Sequence, residues 1–292
     1  MRAAPRISSR AGQGSAREAA GAVGCCALAF RLVEQGGVKM RIILAMAAGI
    51  ALSAAVPAYS EPAAVAKAVA ATADRSADNV RLDAGRKPAE LLDFLGLERG
   101  MRVIDMFGAN RYWAEIIAPA IGPEGQLIVW QPRQFLNDKR RSEFADFAAR
   151  KGNVALITTP FEAPILGSNA YDLLVMNLDY HDVYWENAKN GIVRMDPDAW
   201  LKTLYSAMKP GGVVGVVDHV ANANSDTRAT VEALHRIDPA VLRADFERAG
   251  FVLEAESDLL RNPADDHSLS VFDDKIRGRT DRAVFKFRKP RG

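Results

Sequence analysis

Short apolar segments alternate with longer amphipathic ones along most of the chain, and this alternation constrains the fold more than any other feature. Residues 102–107 form an apolar run with an acid near its end, which is typical of a strand buried in a parallel sheet. Residues 171–177 repeat this pattern, and residues 138–151 between them have the spacing of a charged amphipathic helix. Strands joined by helices of ten or more residues predict an α/β protein with a parallel sheet and right-handed crossovers.

The predicted elements fill the chain from Pro88 onward, because Pro88 suits the first turn of a helix that Gly96 ends. Strands are expected at residues 102–107, 126–130, 154–157, 171–177, 213–217, 251–255 and 283–287. Further helices are expected at residues 112–120, 138–151, 197–208 and 239–249. In such a sheet a ligand binds outside the carboxyl ends of the strands, near the point where the strand order reverses.

Charge is distributed unevenly between the two ends of the chain. Of the 38 Lys and Arg residues, seven lie in residues 1–60, against two of the 36 Asp and Glu residues. The remainder is therefore slightly acidic and has no basic stripe that could follow a phosphate backbone, which excludes nucleic acid as an expected partner. Both cysteines, Cys25 and Cys26, also precede residue 61, so the remainder has no thiol for a disulfide, a nucleophile or a zinc site.

The segment 40–60 has the features of a signal peptide. Met40 and Arg41 form a short basic start, an apolar run covers residues 42–56, and small residues precede a cut between Ser60 and Glu61. The run is shorter than the roughly 20 apolar residues of a membrane span, so no stable span is expected after cleavage. The alternatives are an uncleaved anchor or a buried helix. Cleavage predicts a periplasmic or secreted protein.

Four regions follow from this pattern. Residues 1–39 are interpreted as an upstream extension from a start codon called in error, or as disordered. Residues 40–60 are the signal peptide, and the Ala-rich residues 61–80 are a helix or disordered spacer. Residues 81–292 are expected to form one domain.

Three segments resemble the corresponding segments of class I S-adenosylmethionine-dependent methyltransferases. They are residues 103–105 (Val-Ile-Asp), residues 171–177 and the helix–strand junction 208–213 (Met-Lys-Pro-Gly-Gly-Val). More narrowly, the chain from about residue 75 onward is similar to a group of exported bacterial proteins predicted to be methyltransferases. The shared segments are residues 86–88, 177–182, 218–219, 234–239, 260–267, 280–282 and 287–290. The resemblance implies a doubly wound, mostly parallel seven-stranded sheet with helices on both faces, and S-adenosylmethionine as cofactor.

The loop that would hold this cofactor departs from the family pattern. It keeps only Gly108 where two or three glycines are usual, although Asn110 can adopt the left-handed conformation at modest cost. Trp130 and Gln131 stand where the family normally has an acid at the end of the second strand. Trp130 can stack on the adenine, and Gln131 can hydrogen-bond a ribose hydroxyl. The resemblance assigns the cofactor to Asp105, Gly108, Asn110, Tyr112, Trp130, Gln131 and Asn177.

Each of the four histidines lies at a strand end or in a loop, within a few residues of an acid. The pairs are His181 with Asp182, His219 with Asp218, His235 with Asp238, and His267 with Asp265 and Asp266. An imidazole oriented by a carboxylate is a general base near neutral pH, so the first two pairs are predicted to be catalytic. The alternatives are a divalent metal held by the cluster, or capping and ion-pair contacts. No metal is assigned, because no compact spacing such as His-x-x-x-His occurs.

The expected function is transfer of a methyl group from S-adenosylmethionine to a small-molecule acceptor. The alternative is an exported protein that keeps the methyltransferase fold, has lost the cofactor and binds a ligand or metal through the His/Asp cluster. Fold alone does not separate the two, because one fold hosts many activities.

Overall fold

A computed structural model of the chain describes residues 62–223 and 226–292, and the expectations for residues 1–39 and 40–60 lie outside this part. Seven strands are described: β1 (Arg102–Met106), β2 (Gln126–Pro132), β3 (Val154–Thr159), β4 (Tyr171–Asn177), β5 (Met208–His219), β6 (Val252–Ser257) and β7 (Arg282–Arg288). The helices described are α1 (Pro62–Ala70), α2 (Ala77–Val80), α3 (Asp83–Arg86), α4 (Pro88–Leu95), α5 (Tyr112–Ile121), α6 (Asp138–Lys151), α7 (Pro197–Ala207), α8 (Thr227–Leu234) and α9 (Pro239–Ala249). Among the described residues, every helix falls short of what a bilayer crossing needs.

The strands form one sheet in the order β3-β2-β1-β4-β5-β7-β6. The first five strands pair in parallel, and β7 runs antiparallel to both β5 and β6. The predicted doubly wound, mostly parallel seven-stranded sheet is therefore confirmed. The strand order reverses between β1 and β4, so the expected ligand cleft lies beyond the ends of these two strands.

Apolar side chains pack on both faces of the sheet, which explains why the central strands are hydrophobic at successive positions rather than at alternate ones. In β1, Ile104 contributes to the cluster on one face, while Val103 contributes to the cluster on the other. Helices α7 and α9 cover the first face; α1, α4 and α5 cover the second.

The segment that was expected to be a spacer is partly packed against the domain. Helix α1 contacts α4 and α5, and its Val65 and Ala68 are buried in the same cluster as Leu91. Arg75 then forms a bidentate ion pair with Asp83, with both N–O distances at 2.7 Å. The described domain therefore includes residues before position 81.

The junction at Lys209–Gly212 differs in detail from the predicted turn. Strand β5 already begins at Met208, which pairs with Tyr171. Gly211 keeps the left-handed conformation expected of a turn, with φ at +82°, while its amide donates to the carbonyl of Lys289. The chain just beyond β7 therefore continues to pair with β5 at its glycines.

Gly215 in β5 permits the close approach of α4. A Cβ at this position would lie 2.3 Å from Cδ1 of Leu95, whose side chain is buried. We expect Gly215→Ala to lower the free energy of unfolding by about 1–3 kcal/mol, the usual cost of overpacking a core. Urea unfolding measures this loss. Adding Leu95→Ala should cost less than the sum of the two single changes, because the shorter side chain removes the clash; strict additivity would contradict the prediction.

Candidate functional site

A cleft lies at the carboxyl edge of the sheet, where β1, β4 and β5 end side by side. A cavity of about 110 Å³ at the end of β1 is lined by Arg86, Asp105, Gly108 and Asn177, among others. A larger cavity of about 500 Å³ lies next to it and reaches His219. Arg86 and Leu178 line both cavities, so the two form neighbouring parts of one cleft.

The loop after β1 forms a single 3-10 turn over Gly108–Asn110. The residues on either side, Phe107 and Arg111, are left-handed with φ at +58° and +69°, whereas the sequence suggested Asn110 for this conformation. The ring of Phe107 packs edge-on against Trp130, with 5.2 Å between the ring centroids. Packing of this kind offsets the left-handed cost, which is about 1–2 kcal/mol for a residue with a side chain.

Asp105 lies beneath this loop and is 1% exposed. Its Oδ2 atom is buried without a hydrogen-bond partner in the described part of the chain. A Cβ on Gly108 would lie 2.0 Å from that oxygen, so this glycine is required for the loop to pass over the carboxyl group. Burial raises the pKa of Asp105 well above its usual range, although the positive charge of Arg86 opposes this rise.

Three residues predicted to bind the cofactor point elsewhere. Trp130 is fully buried and donates its Nε1 hydrogen to Thr159, because β2 turns this side chain into the core. Gln131 is buried and accepts the amide hydrogen of Ala109 at 3.0 Å, so it supports the loop from below. Tyr112 is buried and donates its hydroxyl hydrogen to Asp83 at 2.8 Å. In this structure none of the three lines either cavity of the cleft.

The remaining predicted cofactor residues lie at the smaller cavity. Asn110 is exposed, and its side-chain oxygen accepts the amide hydrogen of Tyr112 at 3.0 Å, beginning helix α5. Asn177 ends β4 and is mostly buried at the cavity wall. Asp179 lines the same cavity and was not identified from the sequence. Burial raises the pKa of Asp179 well above its usual range, and the nearby carboxylate of Asp182 adds to the rise.

His181 is held by Asp218 rather than by its sequence neighbour alone. The His181 Nδ1 atom lies 2.7 Å from Oδ1 of Asp218, and the His181 backbone amide donates to Oδ2 of the same carboxylate at 2.8 Å. Burial lowers the pKa of His181, but Asp218 and Asp182 outweigh burial and raise the pKa to about 9. His181 therefore has the hydrogen-bonded partner that orients an imidazole, supplied by the next strand of the sheet.

Asp182 lies between two histidines. Its Oδ1 atom is 3.4 Å from Nε2 of His181 and 3.3 Å from Nδ1 of His235. This oxygen is buried and makes no hydrogen bond within the described residues. Asp238, the sequence neighbour expected beside His235, instead caps helix α9 by accepting the amide hydrogen of Ala240.

His219 lines the larger cavity at the end of β5. Its Nδ1 atom lies 2.7 Å from the hydroxyl of Thr280, while its Nε2 atom has no hydrogen-bond partner among the described residues. Burial and the positive charge of His181 lower the pKa of His219 well below its usual range. The imidazole is therefore neutral at pH 7. Asp218 accepts the backbone amide hydrogen of His219 at 2.7 Å, whereas the hydrogen bond of the ring goes to Thr280.

His267 belongs to a different network. Its Nε2 atom lies 2.9 Å from a carboxylate oxygen of Asp281, and its Nδ1 atom lies 3.0 Å from the side-chain oxygen of Asn222. The neighbouring Asp265 pairs with the fully buried Arg236. This histidine is therefore a structural residue beside the cleft rather than a member of it.

The walls of the larger cavity carry positive charge that the sequence analysis did not identify. The arginines that line it are Arg81, Arg86, Arg277, Arg279 and Arg282. No Asp or Glu lines this cavity in the described part of the chain. The arginines come from two segments far apart in sequence, residues 81–86 and 277–282, and only the fold brings these segments together at one cavity.

Comparison with known proteins identifies the fold. No protein-family model and no curated protein matches the sequence. A methyltransferase from Aquifex aeolicus is similar at 15% identity and a TM-score of 0.50, over 78% of this chain and 98% of that one. A proposed sarcosine dimethylglycine methyltransferase from Galdieria sulphuraria is similar at 13% identity and a TM-score of 0.51, over 73% and 88%. The 4+2 cyclase SpnF matches at 17% identity and 0.50, over 70% and 82%. The chain thus has the class I S-adenosylmethionine-dependent methyltransferase fold.

Proposed function

We propose that this protein transfers a methyl group from S-adenosylmethionine to a small acceptor that carries negative charge. The observation that carries the proposal is the buried, unpartnered oxygen of Asp105 at the switch point of the sheet. An unsatisfied buried carboxyl oxygen destabilises a protein, and such costs concentrate at sites that bind a ligand. Because Gly108 has no side chain, the loop can pass directly above this oxygen.

The charged groups around the smaller cavity fit the amino-acid end of the cofactor. That end carries a carboxylate, an ammonium and a sulfonium, and the sulfonium supplies the methyl group. Arg86 is a suitable partner for the carboxylate, since an arginine fork binds carboxylates bidentately. Asp105 and Asp179 are acids that would ionise beside the ammonium and sulfonium of the cofactor. The side-chain amide of Asn177 can donate to the carboxylate or accept from the ammonium.

Strand β2 contributes little to this binding site, because the side chains of Trp130 and Gln131 are committed to the core and to the loop. In our proposal the cofactor is therefore bound by the loop after β1, the end of β4 and Arg86. This differs from the sequence expectation, in which β2 supplied the groups for adenine and ribose.

The larger cavity suits the acceptor in size and charge. Its volume of about 500 Å³ falls within the usual range of small-molecule sites, roughly 300–1,000 Å³. Five arginines line the cavity and no Asp or Glu does in the described part of the chain, which favours an acceptor that bears a carboxylate or a phosphate. His219 lines this cavity as a neutral imidazole and has no hydrogen-bond partner for Nε2 among the described residues, so this nitrogen can take a proton from an acceptor hydroxyl or amine.

The proposed location is outside the cytoplasm. It depends on the signal-peptide pattern of residues 40–60. Fractionation of the native cells and the mass of the mature protein would test it, and a mass that includes residues 1–60 would refute cleavage.

The test of the function is calorimetric titration of S-adenosylhomocysteine into the purified protein. Micromolar binding, about −8 kcal/mol, supports the cofactor assignment. Labelled S-adenosylmethionine is then offered with a panel of carboxylate- and phosphate-bearing alcohols and amines, with uncharged analogues as controls. Absence of binding at high protein concentration would refute the proposal. Equal labelling of charged and uncharged acceptors would refute the anionic preference alone.

Asp105→Asn should raise the stability of the protein and weaken its binding of S-adenosylhomocysteine. Above about pH 4 the unfolded Asp105 loses its proton, whereas the native state keeps it because burial raises the pKa. The wild type therefore loses stability as pH rises from about 4 towards the raised pKa, and the amide variant avoids this loss. We expect the variant to be more stable by about 1 kcal/mol at pH 8 and by less at pH 5, and to bind S-adenosylhomocysteine about tenfold more weakly. Urea unfolding at both pH values measures the first effect, and a pH-independent difference would contradict it.

A further inference from the structure

Three side chains from two separate segments converge beside the acceptor cavity. One potential ligand atom from each of His181, Asp182 and His235 lies within 4.8 Å of the other two. His181 and Asp182 follow β4, whereas His235 follows helix α8, so the fold rather than the sequence spacing assembles the group.

We propose that His181, Asp182 and His235 bind a divalent first-row transition-metal ion. The distances fit this role. Two ligand atoms at about 2.1 Å from a tetrahedral ion lie about 3.4 Å apart. The measured separations from Oδ1 of Asp182 are 3.4 Å to His181 and 3.3 Å to His235. Two imidazoles with one carboxylate favour ions such as Zn²⁺ or Fe²⁺ over Mg²⁺ and Ca²⁺, which prefer oxygen ligands.

The buried oxygen of Asp182 supports the site independently of the spacing. This atom is shielded from solvent and makes no hydrogen bond among the described residues, although two imidazole nitrogens lie near it. A buried carboxylate oxygen without a partner is costly, and a bound cation would remove that cost.

Asp218 completes the arrangement behind the ligands. Its Oδ1 atom lies 2.7 Å from Nδ1 of His181, the position from which it would accept the Nδ1 hydrogen when Nε2 of His181 binds an ion. An imidazole that binds a metal through one nitrogen usually donates the hydrogen on its other nitrogen to a carboxylate or carbonyl in this way. Asp218 also accepts the backbone amides of His181 and His219, so its own position is fixed.

The site borders the acceptor cavity through aromatic contacts. The ring of His219 lies 5.9 Å from that of His181, and the ring of Phe272 lies 4.9 Å from that of His235. Both His219 and Phe272 line the larger cavity. Three protein ligands leave at least one coordination position for water or an acceptor oxygen, as in catalytic rather than structural metal sites. An ion here would add a second positive centre for an anionic acceptor.

The experiment measures Zn²⁺ binding to the full chain, purified without chelators and without a histidine tag. Calorimetry and elemental analysis should give one ion per chain with micromolar or tighter affinity. His235→Asn and Asp182→Asn should each weaken binding at least tenfold. Asp218→Asn should weaken it about 10–100-fold by releasing the His181 ring. Co²⁺ substitution adds a visible spectrum that the two ligand variants should alter.

His267→Asn is the matched control for His235→Asn. Both histidines are left-handed, with φ at +64° and +51°, and both side chains are 16% exposed, but His267 lies outside the group. Asparagine tolerates this backbone conformation at both positions. The control should bind Zn²⁺ like the wild type. Absence of stoichiometric Zn²⁺, or equal loss in the control, would overturn the proposal; Asp182→Asn decides the matter if His235→Asn does not fold. S-adenosylhomocysteine titration of the same samples tests the methyltransferase proposal separately.

Discussion

Arg236→Leu is expected to lower the free energy of unfolding by about 3–5 kcal/mol, the usual effect of leaving a buried charge without its partner. The side chain is fully buried, and it donates to both carboxylate oxygens of Asp265 at 2.9 and 3.1 Å. It also donates to the carbonyls of Val220 and Leu269, so one side chain joins three segments around the cleft. Urea unfolding of the purified variant measures the loss.

Two variants show whether the charge is responsible. Arg243→Leu removes an exposed arginine that pairs with Glu247 on the same helix, and its effect should stay within about 0.5 kcal/mol. The double variant Arg236→Leu with Asp265→Asn removes the orphaned charge and keeps one of the two side-chain oxygens that accept the amides of His267 and Asp281. It should recover part of the lost stability. A double variant less stable than Arg236→Leu would contradict this account.

Gly108→Ala is expected to weaken S-adenosylhomocysteine binding by about 100-fold, by analogy with the loss of rate that a displacement of about 1 Å causes at a catalytic site. The new methyl group would lie 2.0 Å from Oδ2 of Asp105, which is too buried to move away. Gln131 anchors the loop through the amide of Ala109. A shift of the loop would displace Phe107, Gly108 and Asn110, which line the smaller cavity. Calorimetric titration of the folded variant measures the change.

Gly152→Ala provides the control for this substitution. Gly152 ends helix α6 with φ at +76°, and a Cβ there would meet no atom within 4 Å. This variant should lose about 1 kcal/mol of stability through backbone strain and keep the wild-type affinity for S-adenosylhomocysteine. If Gly108→Ala bound as tightly as the control, the loop after β1 would not be the cofactor site.

The sheet could be predicted from the sequence because its signals are local. The strand at Tyr171–Asn177 and the helices at Asp138–Lys151 and Pro239–Ala249 have the predicted bounds, since each combines a periodic apolar pattern with a capping residue or a glycine end. The left-handed Phe107 could not be predicted in this way. Its conformation is compensated by packing against Trp130 and Phe161, which are distant in sequence.

The site was harder to predict, because its partners come from different strands. Sequence neighbours suggested that Asp218 orients His219 and that Asp238 orients His235. In the structure Asp218 orients His181, and His235 lies beside Asp182. The adjacency of β4 and β5 in the sheet determines the first pairing. Arg86 lies in one of the shared segments but was not assigned to the site, because its position at the cleft depends on how α3 folds back over Tyr112.

The packing of the N-terminal segment makes the cleft sensitive to proteolytic trimming. The side-chain nitrogen of Asn79 donates to the backbone carbonyl of Asn110, in the loop after β1, and to Glu115 in α5. The amide of Ser76 donates to the same glutamate at 3.1 Å. A protease that removed the chain up to residue 80 would remove none of the residues that line the cleft. It would remove the contacts of Ser76 and Asn79 with the loop and α5, so affinity for a ligand of the cleft is expected to fall before the fold is lost.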